Sequence, residues 1–208
     1  MNISLSPQTI PMSWQDYIAK NFDRSTIPWD KYRWIQGEII PVGGEGKLNS
    51  LIAMVLGRIL DRYIEDHDLE WTVFVNHLEV EVDLSEHQTR IPDLMVVSNS
   101  VLDGMGNEES VITKAMAPPI LVVEIVSPSS VKDDYQAKEL EYLDRGIQEY
   151  VNIDWKKEQI IVRSLTDGRS YNYVAYKPGD RFSLTSFPKL TLNVDQVLSG
   201  KKLNRGKS

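Results

Sequence analysis

Two acids stand in company that an isolated carboxylate avoids. Glu124 lies inside Ile120-Leu121-Val122-Val123-Glu124-Ile125-Val126, between Pro118-Pro119 and Ser127-Pro128. Asp93 precedes Leu94-Met95-Val96-Val97 in a second apolar run opened by Arg90-Ile91-Pro92. A run such as 120–126, bounded by prolines, reads as a central strand covered on both faces. Alternation puts Ile120, Val122, Glu124 and Val126 on one face and Leu121, Val123 and Ile125 on the other. A buried carboxylate left uncompensated costs several kcal/mol, so Glu124 must be neutral, paired or bound to a cation, unless it reaches solvent at the strand end. Two acids on neighbouring strands, each near an exit toward a helix, can converge on one divalent cation. Oxygen ligands without cysteine or a histidine pair favour Mg²⁺ or Mn²⁺ over zinc. Such an ion can activate water and neutralise charge on a phosphodiester.

A cationic side chain is also needed near the developing charge. Lys138, on the helix that follows Glu124, can supply it, and Lys132 in the preceding turn competes for the role. By spacing alone Lys138 reads first as an exposed helix lysine paired with Asp134, four residues earlier.

Other chemistries fit poorly. His67, His77 and His87 have no helical metal-binding spacing. The turn Ser127-Pro128-Ser129-Ser130 lacks the glycines of a nucleophile elbow. Gly43-Gly44-Glu45-Gly46-Lys47 lacks phosphate-loop spacing and reads as a flexible turn. Trp155, Tyr171, Tyr173 and Tyr176 could stack on bases, but aromatic residues on hairpins usually pack across strands. A glycosidase using Asp93 and Glu124 as an acid pair would work without metal, which an EDTA control separates.

The elements that must position these groups are legible. Leu48, Leu51, Ile52, Val55, Leu56, Ile59, Leu60 and Tyr63 mark an amphipathic helix, capped near Asn49. A short helix capped by Ser13 and an extended stretch over 32–40 come before it. Strands are expected over 72–82, 91–97, 120–126 and 149–154, with a helix over 133–145 capped by Ser129 or Ser130 and closed by Gly146. Ala137, Leu140, Leu143 and Ile147 should form the buried side of that helix. The long polar stretch 98–118 is a functional loop or holds a short helix near 110–115. Asp167-Gly168 turns a hairpin between 159–165 and 170–176; a strand fragment over 182–184, a Pro188 loop and a terminal helix follow.

At 208 residues, 41% of them hydrophobic and 25% charged, the chain can bury one sizeable core. One domain is expected, with a lead-in over 1–30, a core over 30–165 and a hairpin and tail over 166–208. No apolar run approaches a membrane span, no secretory signal is visible, and the absence of cysteine suits the cytoplasm. The net charge of −7 argues against coating nucleic acid by bulk electrostatics, though not against an enzyme that meets DNA locally. The basic tail 201–207 reads as a frayed end.

Arg90-Ile91-Pro92-Asp93, Val123-Glu124-Ile125-Val126-Ser127-Pro128-Ser129-Ser130, and then Asp134, Lys138, Tyr142, Gly146, Glu149-Tyr150 and Asp154 resemble the Uma2 family. This is the DUF820 group of restriction-endonuclease-like proteins within the PD-(D/E)XK nuclease superfamily. The likeness covers roughly residues 30–165. It implies an α/β (α+β) fold, a mixed central sheet flanked by helices with an appended β-hairpin region. It also implies a Mg²⁺- or Mn²⁺-dependent endonuclease acting on DNA, with Asp93 and Glu124 as metal ligands and Lys138 as the catalytic lysine. Glu38, in Gln36-Gly37-Glu38, matches a glutamate common in the family and would add a further acid. Val126 stands where the superfamily's eponymous lysine would be, so the resemblance implies that Lys138 replaces it from the helix. Cutting both strands at once calls for two copies, so a homodimer is expected. The reading from another class is a catalytically silent module that keeps the fold for binding or assembly.

Overall fold

The computed structural model describes residues 9–43, 46–83, 88–127 and 133–201, without the side chains of 133 and 134. Ser129, Ser130, Lys132, His87 and the end of the basic tail, proposed above for caps, chemistry or fraying, lie outside the described residues.

The lead-in builds a small unit. β1 (Ile10–Pro11) is followed by α1 (Trp14–Ile18), whose N-cap is Ser13: its hydroxyl accepts from the Asp16 amide at 3.1 Å. A 3₁₀ turn (Arg24–Thr26) leads to β2 (Tyr32–Ile35) and β3 (Glu38–Pro41). The stretch expected as one extended segment is therefore a hairpin. Gln36 and Gly37 both take positive φ (49° and 91°), the backbone of a tight two-residue hairpin turn. Trp14, Tyr17, Trp34 and Ile39 form its core.

α2 (Lys47–Asp66) is the long amphipathic helix, and its N-cap is Gly46, not Asn49. Asn49 instead lies inside the helix, buried. Beyond it the expected 72–82 strand is two strands, β4 (Trp71–Val75) and β5 (Glu79–Asp83), belonging to different sheets. Asn76 between them is left-handed (φ 54°), a conformation asparagine tolerates better than most residues, and there the chain changes layer. β6 (Gln88–Arg90), β7 (Leu94–Ser98), α3 (Asn99–Asp103) and β8 (Val111–Ile112) follow. The helix in the long polar stretch thus sits at its start. The expected helical site near 110 is β8, drawn into parallel pairing with β5.

β9 (Leu121–Ile125) leads through a π-helical turn (Asp133–Ala137) to α4 (Lys138–Arg145), closed by Gly146 at φ 79°. β10 (Glu149–Asp154), β11 (Gln159–Leu165) and β12 (Tyr171–Tyr176) extend the sheet. β13 (Arg181–Leu184) and β14 (Phe187–Asn193) pair as a separate hairpin before α5 (Val194–Ser199), with Pro188 inside a strand rather than a loop. Strand β14 has only one partner, so the proline costs no ladder bond on its open side.

The main sheet has the order β12-β11-β10-β9-β7-β4. Only the β9–β10 pair is parallel; the other four are antiparallel. Leu94, Val96, Leu121, Val123 and Ile125 point to the face covered by α2 and α5. Met95, Val97 and Val122 point to the opposite face, with Tyr142 of α4 and the β6-β5-β8 sheet. A mixed sheet with helices on both faces is the fold class that the family resemblance implied.

One helix face differs from expectation. Leu140 is 68% exposed, while Tyr142 and Arg145 are the buried residues of α4. The π turn shifts the helical phase, so Lys138, Tyr142 and Arg145 share the inner face and Leu140 lies on the other side.

Candidate active site

The ladder between β7 and β9 ends at Leu94 opposite Val123, so one residue further Asp93 falls opposite Glu124. On the other flank, Asn152 of β10 is in register with Glu124. Asp93, Glu124 and Asn152 therefore form a row at one level across three strands. Period-two alternation turns Glu124 and Asn152 toward the α4 face, and Asp93 stands just before the first residue of β7. The Asp93 carboxylate accepts from the Ile125 amide at 2.5 Å, which ties it to the end of β9.

Glu124 is 2% exposed, so the solvent-reaching alternative is out. The Tyr142 hydroxyl donates to Oε1 at 2.5 Å, and the Lys138 ammonium stands 2.9 Å from Oε2. Burial, and then the Glu124 charge, push the Tyr142 phenol well above its ordinary range. That hydroxyl therefore keeps its proton and acts as a donor. The Lys138 side chain is only 12% exposed and faces inward, which overturns the reading of an exposed lysine; the Asp134 side chain lies outside the described residues.

Two anchors hold α4 so that Lys138 reaches Glu124. Arg90 makes a two-pronged bond to Glu141, 2.7 Å on each arm, and Arg163 reaches Glu139 at 3.0 Å. Arg163 also donates to Asn152 Oδ1 at 2.5 Å, linking the anchor to the row of strand residues. Both glutamates lie in the first turn of the helix, where its dipole favours negative charge. From the opposite face Asn49 donates to the Ile125 carbonyl at 3.2 Å and receives the Trp155 indole at 2.9 Å. Trp155 thus has a structural partner, not an open face for bases.

Lys138 opens onto a cleft of about 240 Å³ that Arg33, Arg90 and Ile91 also line. Arg33 joins Arg90 and Lys138 at this cleft, where Arg90 is paired with Glu141 and Lys138 with Glu124. Arg33 was not singled out from sequence, and Tyr142 was named only in the family likeness, without a role. Tyr142 is four residues after Lys138 and so on the same helix face, a usable signal; Arg33 carries none.

Glu38 is not brought into this group. It is exposed at the start of β3, in register with Ile35 and Pro11, whereas the cleft is bordered by the far end of that strand, Ile40 to Gly43. Among the described residues no three Asp, Glu or His side chains form a metal-holding group. Asp93 and Glu124 remain as a pair of hard oxygen donors side by side. Lys138 already places a positive charge against Glu124, so the donor set fits a divalent cation. The two described histidines join no such group: His67 bonds the Tyr63 carbonyl and stacks on its ring, and His77 borders another cleft.

The fold is thus a mixed sheet covered on both faces by helices. In the solved structures it is similar to a putative nuclease of the DUF820 group from Anabaena variabilis, with TM-score 0.65, 18% identity, and coverage of 85% of this chain and 95% of that one. The chain belongs to the Uma2 family, described as "Putative restriction endonuclease", whose profile matches residues 15–195. Two uncharacterized proteins of Synechocystis are related. One is 24% identical over 172 residues, 82% of this chain and 85% of its own length; the other is 28% identical over 137 residues, 65% and 73%. Among the described residues no helix is long and apolar enough to cross a membrane.

Proposed function

We propose that this protein is an endonuclease that hydrolyses DNA phosphodiester bonds with the help of Mg²⁺ or Mn²⁺. The observation that carries the reading is the convergence of Asp93 and Lys138 on the buried Glu124. Asp93 and Glu124 would hold the cation. When bound, it would lower the pKa of water and neutralise charge on the phosphoryl oxygens. Lys138 lines the cleft and would offer its ammonium where negative charge gathers on phosphorus. Tyr142 keeps the Glu124 carboxylate in one rotamer, and Arg33 and Arg90 draw the polyanion into the cleft. Glu38 has no part in this scheme. One site of this kind cuts one strand, so a double-strand break would take a homodimer.

The test is incubation of purified protein with supercoiled plasmid, with Mg²⁺, Mn²⁺ or EDTA. Cleavage in metal that EDTA abolishes, and that Asp93→Ala or Lys138→Met lowers by about 100-fold or more, supports the reading. Should Lys132→Met be the damaging change instead, the lysine role moves to position 132. A second reading, a silent nuclease-fold binding module, draws on the lack of a third acid beside the pair among the described residues. It predicts DNA retention without cleavage under every metal condition.

A further inference from the structure

A second cleft, of about 400 Å³, lies between the lead-in and β5. Its volume is within the roughly 300–1,000 Å³ typical of small-ligand sites. Ile91 borders both this cleft and the one at Lys138, so the two share a wall. β2 forms part of the same wall: Tyr32 faces the second cleft and Arg33, its neighbour in sequence, faces the first. The second cleft is close to the acid pair along the chain as well. Asn76, on its border, donates its backbone N–H to the Asp93 carbonyl at 3.2 Å.

Its lining is suited to a nucleotide. Lys20, Arg24 and Lys31 bring three positive charges. The Arg24 guanidinium stands 5.0 Å from the Tyr32 ring centroid and is fixed by bonds to the Ile27 and Trp29 carbonyls, at 2.9 and 2.5 Å. The pair therefore presents a guanidinium and aromatic surface on which a base can stack. Ser110 offers a hydroxyl for a base edge. Two acids also border the cleft. Asp30 is exposed, and Glu79 is engaged by the Tyr17 and Thr89 hydroxyls at the buried end.

We propose that this cleft takes one unpaired nucleotide of the substrate strand, its base against Tyr32 and its phosphate toward Lys20 and Lys31. Ile91 would then be an apolar ridge between that nucleotide and the one at Lys138, as apolar side chains part neighbouring bases elsewhere. A base inside a duplex must leave its stack to enter such a cleft, whereas a single strand or flap presents it directly. The substrate preference that follows is for DNA unpaired beside the cut. This inference rests on the nuclease reading for its substrate, but the cleft's occupancy can be measured without cleavage.

The experiment uses the full chain in Ca²⁺ and a short fluorescent oligonucleotide carrying 2-aminopurine, either single-stranded or as a blunt duplex. Expected are binding of the single strand about tenfold tighter than the duplex, and quenching of 2-aminopurine on binding. Lys31→Glu, at an exposed position, and Tyr32→Leu should each weaken single-strand binding by about fivefold or more. Tyr32→Leu should also remove the quenching. If Tyr32→Leu melts out by circular dichroism, Lys31→Glu decides alone. Equal affinity for single strand and duplex, or wild-type binding by Lys31→Glu, overturns the inference. Plasmid cleavage that persists alongside such a result leaves the nuclease reading standing. Binding as expected without plasmid cleavage leaves the cleft standing and sinks the catalytic reading.

Discussion

Lys138 Nζ lies 2.9 Å from Glu124 Oε2, with both side chains nearly closed to solvent. This ion pair links the first residue of α4 to the central strand β9. It also puts an ammonium against one of the two carboxylates proposed to hold a divalent cation. Breaking such a pair by removing one partner is costly, because the other charge stays buried.

Lys138→Met should therefore lower apo stability by about 3 kcal/mol, at the low end of the range for a severed buried pair. Glu124→Gln should also destabilise, since its neutral amide no longer offsets the charge of the buried Lys138 ammonium. The double variant should recover part of the loss. Urea melts of the four proteins in EDTA measure the coupling. Additive losses would remove the pair from the account of stability.

Millimolar Mn²⁺ should raise the melting temperature of the wild type, because a ligand that binds only the folded state stabilises it by mass action. Asp93→Ala should abolish the rise. Lys138→Met should show a larger rise than wild type, since the cation then meets Glu124 without a competing ammonium. A Mn²⁺ response unchanged in Asp93→Ala would count against Asp93 as a ligand.

Tyr142→Phe keeps the ring that meets Tyr150 edge-on at 5.0 Å and removes the hydroxyl that Glu124 accepts from. The loss should be about 1.5–3 kcal/mol, the scale of a hydrogen bond to a charged group. Its circular dichroism spectrum should match wild type. A melt identical to wild type would mean that the hydroxyl bond contributes nothing net.

Glu79 offers a pH test on a carboxylate outside the acid pair. It is 4% exposed, and burial, the largest influence, raises its carboxyl above the ordinary 4.5 despite the hydroxyls of Tyr17 and Thr89. A raised folded pKa gives stability that is fully present below about 4.5 and lost as pH climbs through the folded value. Glu79→Gln has no such loss. Its amide can donate to the Thr89 hydroxyl, which is also 3.2 Å from the Trp34 carbonyl and can pass its proton there. The stability of Glu79→Gln relative to wild type should thus improve steadily from pH 4 to pH 7. A difference that is flat with pH would show that Glu79 ionises normally in the fold.

Period-two alternation in a run without breaks determined the central strand from sequence alone, because Glu124 is surrounded there by residues with no reason to meet water. The acid at 93, one residue before the next apolar run, falls beside it once those strands pair. The long helix was equally legible, since 3.6-residue periodicity over five turns has no competing reading. Tertiary structure decided the rest. Asn76 leaves the ladder with positive φ, so one apparent strand became two in different sheets, and alternation along a chain says nothing of such a change of layer. Glu79 and Glu81 look like the solvent side of a half-buried strand. They are buried because another layer covers that side, where Tyr17, Thr89 and the Lys114 amide satisfy them. The lysine depended most on three dimensions. Spacing alone put Lys138 on an outer face beside Asp134, and the π turn rotated it inward to Glu124 while turning Leu140 out. A helix's phase is set by how its first turn is wound and by what it packs on, and neither is encoded in the spacing of its own residues.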